Sequence, residues 1–150
     1  MMKVVVDSNV MVKWFVEEEF TECAERLRDD HLRGAIDIHA PAYAIIEFSN
    51  ALRKYVQRGI VTQENAEKAL KLLTNFDIAF KVLNPERDKE LIRGVLRYSM
   101  KNHVTAYDVY YIMLACDLGT TFYTADEKLL RKLSDIKEER VKHVCDYGTA

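Results

Sequence analysis

Glycine, proline and cysteine are scarce in this chain of 150 residues, which has five, two and three of them. So few glycines and prolines exclude a collagen-like or low-complexity polymer. Three cysteines (Cys23, Cys116 and Cys145) with no Cys-x-x-Cys spacing exclude a dense disulfide scaffold, and the odd count leads one to expect reduced thiols. A long apolar run is also missing. The longest, residues 109–116, is less than half of the ~20 residues that span a bilayer. The N-terminal apolar stretch 4–6 ends at Asp7, which is too short for a signal peptide, so a cytoplasmic protein is expected. No sign of charge prevails: 22 basic against 24 acidic residues leave −2. The chain has no global pull toward nucleic acid, and any such contact needs a local patch or a bound cation. Glutamine occurs only at 57 and 63 among abundant Lys and Glu, a composition that points toward a heat-adapted source.

What is present is the material of one folded domain over residues 1–150: 49% hydrophobic and 31% charged. Such a length buries roughly 70% of its unfolded surface. Short β-branched or apolar runs at 4–6, 36–39, 78–83, 120–123 and 141–145 read as strands. Between them lie helical patterns at 8–16, 21–30, 43–58, 62–74, 85–101, 106–117 and 126–133. Ile45, Phe48, Leu52 and Val56 form one apolar stripe along 43–58, and Gly59 ends it. Asn84-Pro85 supplies a start signal for 85–101. Strands alternating with helices predict a three-layer α/β/α sandwich around a five-stranded, mainly parallel sheet.

Open parallel sheets form sites beyond the carboxyl ends of their strands. Four acids fall there: Asp7 after the first strand, Glu47 on the helix after the second, Asp108 opening the helix before the fourth, and Asp126 just past it. Each has an ordinary explanation. Asp7 and Asp126 are good helix caps, and Thr105-x-x-Asp108 is a capping-box variant. Glu47 lies off the apolar stripe with Tyr43, Asn50, Lys54 and Arg58, where a glutamate is usually just solvated. Gathered together the four would repel, so the set implies a compensating cation. All-oxygen donors, with Ser8 and Asn9 adjacent, suit Mg²⁺ or Mn²⁺. Zinc would prefer His and Cys, and only His143 and Cys145 lie near each other in sequence.

The pieces 4–10 (VVVDSNV), Pro41 with 47–52 (EFSNAL), 105–110 (TAYDVY) and 123–129 (YTADEKL) occur in order along nearly the whole chain. With these the sequence resembles the PIN-domain ribonucleases, and most closely the VapC-type toxins of toxin–antitoxin pairs. The resemblance implies that Asp7, Glu47, Asp108 and Asp126 are catalytic metal-binding acids, with Ser8, Asn9 and Thr124 as polar support. It implies Mg²⁺ or Mn²⁺ as cofactor, RNA as substrate, a homodimer, and a small antitoxin in the acidic groove. Lys128, two residues past Asp126, stands where some broader relatives carry further acids, which leaves one metal or two open.

Lys54 and Arg58, sharing the helical stripe of Glu47, and Lys13 are the candidates for contacts to RNA phosphates. Trp14, Phe15 and Phe20 are either antitoxin contacts or core. Asn9 replaces the second acid of an Asp-x-Asp phosphatase, and a receiver domain's paired acids are absent. No P-loop, dinucleotide or Gly-x-Ser-x-Gly pattern occurs. The alternative to a nuclease is a silent RNA- or protein-binding module of the same fold, which would have lost one or more of the acids.

Overall fold

A computed structural model of the chain describes residues 2–148. Five strands form one sheet: β1 (Met2–Val6), β2 (Ile36–Pro41), β3 (Ala79–Lys81), β4 (Phe122–Thr124) and β5 (Val141–His143). Their order is β3-β2-β1-β4-β5 and every pairing is parallel. The expected sandwich is therefore present, with an all-parallel sheet. β1 lies at the centre because Val4, Val5 and Val6 are buried, as a central strand covered on both faces requires.

Seven helices connect the strands: α1 (Ser8–Val12), α2 (Thr21–Leu32), α3 (Ala44–Gln57), α4 (Gln63–Thr74), α5 (Lys89–Asn102), α6 (Ala106–Leu118) and α7 (Glu127–Asp135). The chain runs outward from β1 to β3 and then crosses back to β4. Under the right-handed crossover rule, that reversal sends α1–α4 to one face and α5–α7 to the other. The reversal lies between β1 and β4, which is where Asp7 leaves the sheet: its N–H donates to the Tyr123 carbonyl at 3.0 Å. α6 packs on β1, β2 and β4, and α5 packs on α6.

Several boundaries differ from those the sequence suggests. The first helix stops at Val12 instead of continuing to 16. The N–H groups of Lys13, Trp14 and Phe15 bond three residues back, which tightens the chain into a turn. Asn84 caps a turn, its side chain accepting from Glu86 and Arg87 N–H, so α5 begins only at Lys89. β5 ends at His143, and Val144–Asp146 forms a 3₁₀ turn. Trp14 is core, its indole donating to the Ala24 carbonyl at 2.8 Å, and Phe15 and Phe20 pack against that core.

One expectation is overturned. Cys23 and Cys145 are not reduced thiols but a disulfide, joining α2 to the 3₁₀ turn across 122 residues with Cα atoms 4.9 Å apart. Cys116 is the free cysteine. Spacing along the chain carried no trace of this pair, because the first turn of α2 and the end of β5 meet only through the folded sheet.

Candidate active site

The end of β1 delivers Asp7 at 7% exposure, and its carboxylate does not cap α1. Oδ2 instead accepts from the Thr124 hydroxyl at 2.8 Å, and Oδ1 lies 3.4 Å from the Ser8 hydroxyl. Thr124 ends the neighbouring strand β4 and is fully buried. Its oxygen also accepts from Asn9 Nδ2 at 3.3 Å and from the Asp126 N–H at 3.1 Å. Asn9 Oδ1 returns to the Ala125 N–H at 3.2 Å. Asn9 of the first turn of α1 thus binds the loop that carries Asp126, while Ser8 and Thr124 bond the acids themselves.

Glu47 lies in the first turn of α3 and is half-buried, not solvated. Its Oε1 accepts from the Tyr111 hydroxyl at 2.7 Å and lies 3.4 Å from the Ser8 hydroxyl, which bridges toward Asp7. Tyr111 went unnoticed in the sequence. It is fully buried in α6, stacked on Phe122 with ring centroids 4.9 Å apart. One signal was available: Tyr111 stands three residues after Asp108, on the same side of the helix.

Asp108 occupies the first turn of α6, where Thr105 caps the helix by accepting its N–H at 3.3 Å. Asp126 caps α7 through Oδ1, which accepts the Leu129 N–H at 3.0 Å. Asp108 and Asp126 line one cleft of about 260 Å³ together with His103, Lys128 and Lys132. Capping therefore holds for Asp126 and for the Thr105 side of the box, and fails for Asp7.

The electrostatics tie the four together. Burial, augmented by Glu47 and Asp108 and opposed by the Thr124 hydrogen bond, pushes Asp7 up to about 7 from 3.8. Burial raises Glu47, opposed by the Tyr111 hydroxyl and reinforced by Asp108. Burial also raises Asp108, opposed by Thr105 and the Lys132 charge and reinforced by Asp126. Among the described residues, none of the four forms an ion pair with Lys or Arg. Negative charge is thus desolvated here with no cation in direct contact, Lys132 of the cleft acting on Asp108 only from a distance.

Whether these residues suit a metal ion is a matter of donors and spacing. Among the described residues, no three Asp, Glu, His or Cys side chains stand close enough to grip an ion as arranged. The four acids nonetheless offer only hard oxygens, and they converge on one strand edge with no cation in direct contact. That chemistry fits a hard divalent cation and excludes a thiolate or imidazole zinc centre. Like charges without a counter-ion stand apart, and a cation would draw them inward.

The basic residues fall differently from expectation. Lys54 and Arg58 are exposed on α3, seven and eleven residues past Glu47, or ~10 and ~16 Å further along its axis. Lys13 is turned inward, paired with Glu18 at 2.9 Å. Lys128 and Lys132 are the cations that line the cleft.

Comparison with known proteins agrees with this arrangement. The family model described as PIN domain matches residues 4–135. The chain is 32% identical over 131 residues to ribonuclease VapC3 of Pyrobaculum aerophilum, covering 87% of this chain and 95% of that protein. It also resembles the crystal structure of PAE2754 from Pyrobaculum aerophilum, with a TM-score of 0.65 and 23% identity, covering 95% of this chain and 90% of that one. The latter is a likeness of fold.

Proposed function

The chain belongs to the PIN-domain family, and from that premise we propose that it is a metal-dependent endoribonuclease of the VapC type, the toxin of a toxin–antitoxin pair. The observation that carries the reading is that Asp7, Glu47 and Asp108 are desolvated without an ion pair at one strand edge, with Asp126 lining the same cleft as Asp108. The similarity to a named VapC ribonuclease over most of both chains supports the choice of RNA as substrate.

The four acids would hold Mg²⁺ or Mn²⁺, which when bound supplies Lewis-acid activation of a phosphodiester and a hydroxide near neutral pH. The chain's own residues do the positioning. Thr124 fixes one oxygen of Asp7, and Tyr111 fixes one oxygen of Glu47, so each carboxylate presents its other oxygen in a set direction. Ser8 spans the two. With α7 capped by one oxygen of Asp126, the second is left for a cation or a water. Lys128 and Lys132 at the mouth of the cleft are placed to meet the phosphates flanking the cut.

The reading extends to a homodimer, a small antitoxin protein seated in the acidic groove, and the cytoplasm as the place of action. No helix among the described residues is long and apolar enough to cross a membrane. Incubation of purified protein with single-stranded RNA tests the core of the proposal. Cleavage is expected with Mg²⁺ or Mn²⁺ and none with excess chelator. Binding without cleavage under every metal condition would make the chain a silent RNA-binding module instead.

A further inference from the structure

The Cys23–Cys145 bond closes a contact that the chain holds under strain. Phe20, three residues before Cys23, sits in the left-handed region at φ 68°, a conformation that so bulky a residue rarely adopts. Its ring stands nearly perpendicular to that of His143, with centroids 4.5 Å apart. His143 is tied in turn to Cys145, whose N–H donates to Nδ1 at 3.0 Å. The start of α2 and the end of β5 are thus joined by one covalent bond and one ring contact. Backbone strain of this kind persists only while its surroundings enforce it. Cys23 and Cys145 are both half-buried, which leaves their sulfurs open to a thiolate from solvent.

From these contacts we infer that Cys23–Cys145 is a thiol–disulfide exchange site, and that its opening by a dithiol loosens the acidic site on the neighbouring strand. The inference rests on the reading of Asp7, Glu47, Asp108 and Asp126 as cation ligands. A thiolate of the dithiol attacks one sulfur, which breaks the Cys23–Cys145 bond and forms a mixed disulfide. The dithiol's second thiolate then displaces the chain's sulfur, and the reagent leaves as a cyclic disulfide. Two electrons and two protons pass to Cys23 and Cys145, which end as thiols.

With the bond open, Phe20 is free to return to negative φ and withdraw its ring from His143. β5, three residues long at the sheet edge, then loses its covalent fastening to α2 and keeps the hydrogen bond from Tyr147 to Asp30. From β5 the effect passes one strand inward, because His143 is the register partner of Thr124. The Thr124 hydroxyl donates to Asp7 Oδ2 at 2.8 Å, and its oxygen accepts the Asp126 N–H at 3.1 Å. A loosened edge therefore slackens the residue that orients two of the four acids. Loss of such an orienting partner weakens metal binding about 10–100-fold.

Hydrogen exchange and Mn²⁺ binding at room temperature test the inference. Wild type is measured oxidised, and again after reduction by dithiothreitol that is removed under argon before metal is added. The double variant Cys23→Ser, Cys145→Ser serves as a permanently open form, and far-UV circular dichroism checks that every sample is folded. Amides of 122–126 and 141–147 should exchange several-fold faster in both open forms, while those of 36–41 stay as they were. Mn²⁺ should bind the open forms at least about 10-fold more weakly than oxidised wild type, and reoxidation of wild type should restore both readings. Exchange that ignores the redox state, a measurable Mn²⁺ affinity that is equal in all forms, or a bond that dithiothreitol leaves intact would each overturn the inference. Outright unfolding on reduction would overturn it too, making the bond a staple and not a switch. Mn²⁺ bound by no form would instead sink the cation reading, while exchange at 122–126 still decides whether opening the bond loosens the strand that carries Thr124.

Discussion

Asp7 ends a buried strand and makes no cap, so its carboxylate is taken out of water for something other than local structure. That has a consequence for pH. Its folded value of about 7 lies above the ordinary 3.8, so the folded state binds the extra proton, and metal-free stability falls as pH rises. The contribution is fully present below pH 3.8 and lost through about 7; the raised Glu47 and Asp108 act in the same direction. In chelator, Asp7→Asn should therefore be more stable than wild type at pH 8, by at least about 1 kcal/mol, and little different at pH 4. Chemical denaturation at the two pH values measures this. A capping aspartate would show no such crossover, since Asn caps equally well. Tyr111→Phe makes a second test. It removes the hydroxyl that orients Glu47 and leaves the stacked ring on Phe122 in place. Because Tyr111 acts through Glu47, the loss should show as a weaker Mn²⁺-induced rise in melting temperature as well as slower RNA cleavage.

Among the elements, β5 is the most dependent on its surroundings. It has three residues at a sheet edge, and its His143 pairs in register with Thr124, the residue that holds Asp7. Beyond it the chain is fastened twice to α2, by the Cys23–Cys145 disulfide and by the Tyr147 hydroxyl donating to Asp30. Closing a loop of 122 residues is worth roughly 2–5 kcal/mol. At about 2–4 °C per kcal/mol for a chain of this size, Cys23→Ser should lower the melting temperature by roughly 5–15 °C. Reductant should bring wild type down by a similar amount and leave the variant unmoved. Equal melting of all three would mean that the bond does not hold β5. α6 shows the reverse case: its apolar residues lie all round, from Val109 to Ala115, because it sits between the sheet and α5.

On the scale of the whole molecule, a chain of net charge −2 is asked to bind a polyanion. The cations that could do so near the acids are Lys128 and Lys132, while Lys54 and Arg58 lie further down α3. Lys128→Ala and Lys132→Ala should each raise the KM for RNA several-fold and shrink its salt dependence by about one unit of slope. Lys54→Ala should do less. Steady-state cleavage across a salt series distinguishes them, and a larger effect at Lys54 would move the RNA path onto α3.

Much of this was readable from residue order alone. The β-branched run before Asp7, the stripe of α3 and the caps at Thr105 and Asp126 are local signals, set by interactions spanning a few residues. The architecture followed from them, because alternating strands and helices admit few topologies, and those topologies led one to expect Asp7, Asp108 and Asp126 at one edge; spacing alone would not have selected Glu47. What was not readable depends on residues far apart in sequence. Tyr111 against Glu47, Lys132 beside Asp108 and Cys23 bonded to Cys145 involve partners 64, 24 and 122 positions apart. Nor could sequence show that Asp7 would forgo its cap for Thr124, since both uses suit an aspartate. Local propensity is indifferent between them, and only the packing of β1 beside β4 supplies the buried hydroxyl that settles the choice.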